Sequence, residues 1–368
     1  MSSQLQDLYD RINNLPFCSE ELALIEEAVR LTDLTQNENE GYRARRLLMN
    51  SAYALGQSEK MLVAFSWCRD YADRHPEALD ADEHQDLLWH HRWVVNAGRT
   101  FPQIPTPRIL ALHHDYARRM RELGLSGHNE AFVGLMYAMH TGDAAAAKTH
   151  FETLTSTERD DLSACEACEA ETEAEYHLFC GDDEASLMQI QHILDRRLTC
   201  AHIPANTHAL ALAPLMRLGR WDEAGQHAAR SRQHVSGQPD YLWAQARHLE
   251  YLALVNPSAA LKWYAHHVVW AEQTKELAVS QCFHAAAAML FLTLWNGGKT
   301  KTYAIRLSPT VAGYQEAGRY SAEERMYRHM GEAQRLASLF DARNGTTQQQ
   351  QEVDRILALA LIPSPARA

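Results

Sequence analysis

Cys165-Glu166-Ala167-Cys168 places two thiols three residues apart. On a helix such positions share a face. The pair can therefore serve as two soft metal ligands, as a redox couple or as two small core residues. Cys200 and His202 lie in the loop before a helix expected near 205–218. If corresponding helices of a repeat run parallel, these segments share one edge. Cys165, Cys168, Cys200 and His202 then form a candidate tetrahedral set for a structural zinc. The simpler reading is packing, because Cys165, Cys168, Thr172 and Phe179 fall near one stripe.

A second group is acidic. Between Glu152 and Glu184 the chain carries twelve Asp or Glu and a single basic residue, Arg159. That window holds −11 of a formal charge of −12, so the other residues sum to about −1. Glu166, Glu169 and Glu173 share one helical face, and Glu171 with Glu175 another. The first face suits docking of a basic protein, as in an immunity-type inhibitor, and would speed its association. A solvated outer face is the alternative.

A third group pairs aromatics with arginine: Trp89, Arg92 and Trp93, then Tyr241, Trp243 and Arg247. These residue types recur as binding hot spots, although aromatics at helical spacing also build cores. The twenty histidines include adjacent pairs at 90–91, 113–114 and 266–267, whose members diverge by about 100° on a helix. They read as ordinary surface or buried polar residues. Asn296–Thr300 ends like a phosphate loop, but Thr293 stands where a Gly is required, and the segment joins helices. No nucleophile elbow or dinucleotide fingerprint occurs, so no catalytic residue is assigned and an enzyme is not expected, the alternative being an enzyme with a cryptic Cys/His metal site.

The elements that must position these groups repeat. Turn signals anchored at Gly56, Gly98, Gly142, Gly181, Gly219, Asn256 and Gly297 are spaced by 37 to 44 residues. Each follows and precedes about fifteen helix-patterned residues. Gly suits the left-handed position after a helix, Asn256 is its usual substitute, and Pro257 opens the next helix. In the unit around Gly219, Leu210, Leu212, Leu215, Met216 and Leu218 give the first helix its apolar residues. Trp221, Ala224 and Ala228 give the second its face. Neither helix buries its face alone, so units must stack.

Gly219-Arg220-Trp221-Asp222-Glu223-Ala224 resembles the turn of a tetratricopeptide (TPR) repeat. Gly142 with Ala147 and Phe151, and Gly56 with Phe65, keep the same spacing. The family's first-helix Trp, Leu-Gly and Tyr slots hold His208, Ala211-Leu212 and Leu215 here, and the period exceeds the family's thirty-four. The resemblance spans roughly residues 40–300. It implies an all-α, right-handed α-solenoid of about seven stacked helix–turn–helix repeats with capping helices. It also implies a concave face, lined by first helices, that binds a protein or peptide.

Residues 1–40 are expected to be capping helices, with Ser19 as an N-cap, and 41–340 the repeat array. Residues 341–368 are expected to hold a polar linker (Asn344–Gln351), a short helix that caps the last unit (Glu352–Leu361) and a tail. The composition, 46% hydrophobic and 22% charged, is that of a soluble globular chain. Its acidity disfavours nucleic acid as a partner. The longest apolar stretch, Ala285–Trp295, is about half a membrane span. The N-terminus lacks the basic start and apolar run of a signal peptide. A cytoplasmic scaffold or adaptor is expected, with no cofactor beyond that candidate zinc.

Overall fold

The structure is a computed structural model that describes residues 3–297 and 301–363. These residues are all-α apart from one two-stranded sheet. Helices α1 (Ser3–Ile12) and α2 (Ser19–Leu34) begin the chain. Next come α3 (Glu38–Ala54), α4 (Ser58–Arg74), α5 (Ala81–Gly98) and α6 (Thr106–Glu122). They are followed by α7 (His128–Thr141), α8 (Ala144–Ser156), α9 (Glu166–Phe179) and α10 (Asp183–Asp195). The following first helix is divided into α11 (Ala205–Leu210) and α12 (Leu212–Arg217), and α13 (Trp221–Val235) completes that unit. Then come α14 (Leu242–Val255), α15 (Pro257–Gln273) and α16 (Leu277–Gly297). Antiparallel strands β1 (Thr302–Ala304) and β2 (Arg319–Ser321) lead to α17 (Ala322–Asn344) and α18 (Gln348–Ala358).

The expected turns hold where Gly supplies a left-handed backbone. Gly56, Gly142, Gly181 and Gly219 all have positive φ, from 63° to 80°. Asn256 differs. Its φ is −154°, and its side chain accepts from the Ala259 N–H, so it caps α15 instead of substituting for Gly. Gly98 and Gly297 are the last residues of α5 and α16. After α16 the chain enters the two-stranded hairpin and not a partner helix. Pro214 explains the division of α11 from α12: it has no N–H for the Leu210 carbonyl, and the break falls at Ala211. The cap of α2 is Cys18, not Ser19, with its sulfur accepting from the Glu21 N–H.

Consecutive helices pack as pairs, such as α3 with α4, α7 with α8 and α9 with α10. Alternate helices also touch: α5 with α7, α7 with α9, α12 with α14 and α14 with α16. The apolar core is correspondingly serial. One cluster runs from Leu5 to Val94, another from Leu88 to Ala164, and a third from Ala174 to Ala228. The largest, from Ala205 to Ala360, is built around α14, α16, α17 and α18.

The C-terminal segment departs from expectation. Asn344 belongs to α17, Gly345–Thr347 is a turn, and the glutamines open α18 with Gln348 and Gln349 buried. The short helix does not extend the far end of the chain. It packs on α16 and α17 and reaches back to α7, where the Gln349 amide donates to the His140 carbonyl at 2.7 Å. Nearby, Arg343 donates to the carbonyls of Phe101 and Arg99. Ser58, at the start of α4, donates to Glu276 at 2.5 Å. The chain is thus tied back onto its first half at three separated places.

Helix α16 corrects the apolar-length reading. Its 21 residues are long and apolar enough to cross a membrane by composition. In this structure α14, α17 and α18 enclose it, and Phe283, Met289 and Phe291 are fully buried.

Candidate functional site

Where the ends meet, the helices surround a cavity of about 1030 Å³. Its wall draws on helices from α3 to α18, with Trp93, Arg99, Glu175, Trp243, Arg247 and Glu276 among its lining. This volume lies at the upper end for small-ligand sites, about 300–1,000 Å³. The aromatic part of the wall is ordered by stacking: Trp93 lies on Tyr53 with centroids 3.9 Å apart and planes 9° apart.

The charges are the distinctive feature. Arg99 and Glu175 keep accessible surface on the cavity side, with protein around their remaining sides. Burial lowers the pKa of Arg99 and raises that of Glu175, and each charge partly offsets the other's shift. Among the described residues no carboxylate comes within ion-pair distance of Arg99, which donates only to the Asn96 side chain, and Glu175 has no polar partner. Glu171, one turn before Glu175, accepts from the Thr207 hydroxyl at 2.6 Å. Its carboxyl is pushed up to about 8 by burial, with the Glu175 charge adding to it. Arg247 is already engaged, at 2.6 Å from the Cys282 sulfur and 2.9 Å from Glu250. Burial opposes its charge, but Cys282 and Glu250 together outweigh that and raise its pKa. The wall therefore holds an unpaired cation, an unpaired acid and fixed aromatic rings.

A second cluster lies at the start of α9. Cys165 is the N-cap, and its sulfur accepts from the Cys168 N–H. The Cys165 and Cys168 sulfurs are 3.0 Å apart, and Cys168 is 3.5 Å from Cys200. All three sulfurs lie within 4.8 Å of one another, a spacing suited to a shared metal ion. Hydrogen bonds from Cys165 and Cys168 hold the Cys200 thiol far below its usual range, while Cys168 is driven up.

His202 does not join them. The Cys200 N–H bonds to the Ile203 carbonyl in a tight turn, and the imidazole packs edge-on against Tyr241 at 5.0 Å. Side chains two positions apart in that turn diverge, which removes the expected fourth ligand.

The acids of the 152–184 window are dispersed and largely paired. Glu166 pairs with Arg196. Glu169 is buried between His128 and Arg159, at 3.2 and 2.8 Å. Glu173 accepts from Gln189 at 2.9 Å. Glu171 and Glu175 face the cavity. Of the aromatic–basic sets, Trp93, Trp243 and Arg247 line the cavity. Trp89 instead packs on the α5–α9 core under the Arg92 guanidinium, and Arg92 is buried, donating to the Leu162 carbonyl at 2.6 Å. Tyr241 donates to the Ala201 carbonyl. Arg99 and Glu276 were not singled out by the sequence. Gly298, Lys299 and Thr300 of the phosphate-loop-like segment lie outside the described residues.

No protein-family model matches the chain, and no curated protein matches it.

Proposed function

We propose that this is a non-enzymatic binding protein whose helix pairs form a TPR-like, right-handed α-solenoid. Its concave face takes a short peptide with both of its ends charged. The observation that carries this reading is the unpaired Arg99 and Glu175 in one cavity with the Trp93 and Trp243 rings. Arg99 has carboxylates only beyond ion-pair distance to offset the protein around it, and a ligand carboxylate would pair with it directly. Glu175, with Glu171 beside it, would take an ammonium group in the same way. The rings add apolar area at little entropic cost, as hot-spot side chains do. The cavity admits a few residues rather than a folded domain.

The test is a thermal-shift screen of the full chain against short peptides with free termini, run beside the same peptides amidated and acetylated. A ligand at a hundred times its Kd adds about 2.7 kcal/mol to stability. Free-ended peptides should raise Tm, and blocked ones should not. Equal shifts from both sets would remove the role given to Arg99 and Glu175.

A further inference from the structure

We propose that Cys165, Cys168 and Cys200 form a three-sulfur site for a thiophilic metal ion of the zinc class, with one coordination position left open. The number of thiols is the first indication. A redox couple needs two, and Cys165 with Cys168 would suffice. Here a third sulfur arrives from the loop after α10, thirty-two residues beyond Cys168, and stops 3.5 Å from it. Soft thiolates are the ligands that select zinc and related ions.

The geometry is close to what such an ion requires. Zinc–sulfur bonds of about 2.3 Å place tetrahedral sulfurs about 3.8 Å apart. The observed separations of 3.0 and 3.5 Å, with all three sulfurs inside 4.8 Å, need only small side-chain rotations. The cluster also sits at a helix start. Cys165 sits at the N-terminus of α9, where the helix dipole stabilises negative charge.

The open position reflects the lack of a fourth ligand. Among the described residues no other His, Cys, Asp or Glu atom joins the group, and His202 has turned to Tyr241. Cys200 is exposed, so the vacant side faces solvent. Zinc with three protein ligands and one exchangeable position binds water or an added ligand there. Binding replaces the thiol protons by the ion and releases them to solvent. It also fastens the 196–204 loop to the first turn of α9.

The experiment uses the full chain, reduced with a non-thiol reductant, titrated with Co²⁺ and followed by absorption. The expected result is one Co²⁺ per chain with sulfur-to-cobalt charge-transfer bands, displaced by one equivalent of Zn²⁺. Added imidazole should shift the ligand-field bands by entering the open position. Cys200→Ser should weaken binding at least as much as loss of an outer-shell partner, about 10–100-fold, with unchanged circular dichroism. His202→Ala should leave it unaltered. Absence of charge-transfer bands in the reduced wild-type chain would overturn the site. A spectrum insensitive to imidazole, or a His202→Ala loss equal to that of Cys200→Ser, would overturn the open position.

Discussion

The first turn and the middle of one helix contrast sharply. The first turn of α9 gathers its sulfurs locally, two from a Cys-x-x-Cys spacing and one from the next interhelical loop. Its middle sends Glu171 and Glu175 into a cavity whose other walls come from helices up to a hundred or more residues away. The thiol cluster depends on two neighbouring segments. The cavity depends on closure of the whole chain by α17 and α18. Perturbing the closure should therefore disturb the cavity far more than the thiols.

The largest effect is expected from Val353→Asp. Val353 is fully buried in α18 within the largest core cluster. An uncompensated buried charge there should cost about 3–5 kcal/mol, a large share of a typical fold's margin. Denaturant unfolding should show it, and peptide-induced Tm shifts should vanish. If Co²⁺ uptake by the thiols disappears as well, the two regions behave as one cooperative unit and the contrast fails.

Two glycines probe the contrast at a smaller scale. Gly142 and Gly181 have φ of 77° and 80°. A side chain at either incurs the left-handed penalty of about 1–2 kcal/mol. At Gly142 an added Cβ would also sit 2.9 Å from the Gln348 side chain of α18, whereas nothing lies within 4 Å at Gly181. Gly142→Ala should thus destabilise more than Gly181→Ala in the same unfolding assay. Equal losses would mean that α18 yields freely at this contact.

The pH dependence separates the cavity acid from the buried histidines. Glu171 is raised from 4.5 to about 8, so the folded chain keeps a proton that the unfolded chain releases. Its contribution is therefore lost as pH climbs from about 4.5 to 8. Burial lowers His91 to about 3 and His284 to about 4. Their contribution is present above the unfolded value of 6.5 and is lost as pH falls below it. Glu171→Gln, which keeps an acceptor for Thr207, should flatten the alkaline decline in Tm and leave the acid limb unchanged. An unchanged alkaline limb would place the proton elsewhere.

The smallest effect belongs to the thiols. In the metal-free chain Cys165→Ala should cost less than about 1 kcal/mol, because the residue is only half-buried. A loss of several kcal/mol without any ion would make the cluster a core element instead.

Different parts of this arrangement were legible in the sequence for different reasons. Helix pairs were readable because Gly56, Gly142, Gly181 and Gly219 mark local backbone requirements. The three cysteines were readable because their convergence needs only one helix pair and its loop. His202 was not, since the turn between Cys200 and Ile203 decides its direction. The pairing of Glu166, Glu169 and Glu173 was hidden because their partners, Arg196 for the first, His128 and Arg159 for the second and Gln189 for the third, come from neighbouring segments. Arg99 and Glu276 were silent for a deeper reason. A lone Arg after a helix and a lone Glu before one become cavity residues only when α18 closes the chain, and nothing in local spacing encodes that closure. The polar composition of Asn344–Gln351 pointed to a linker, yet Gln348 and Gln349 are buried where their amides meet α7 and Glu352.

Capture of a charged-ended peptide between Arg99 and Glu175 is the reading on which the function rests. Isothermal titration of the strongest peptide from the screen tests it, using wild type, Arg99→Gln, Glu175→Gln and the outer-surface control Glu166→Gln. The expected result is one peptide per wild-type chain, at least tenfold weaker binding (about 1.4 kcal/mol) for each cavity variant, and no change for Glu166→Gln. Equal affinity in all four proteins, or a loss only in Glu166→Gln, would contradict it.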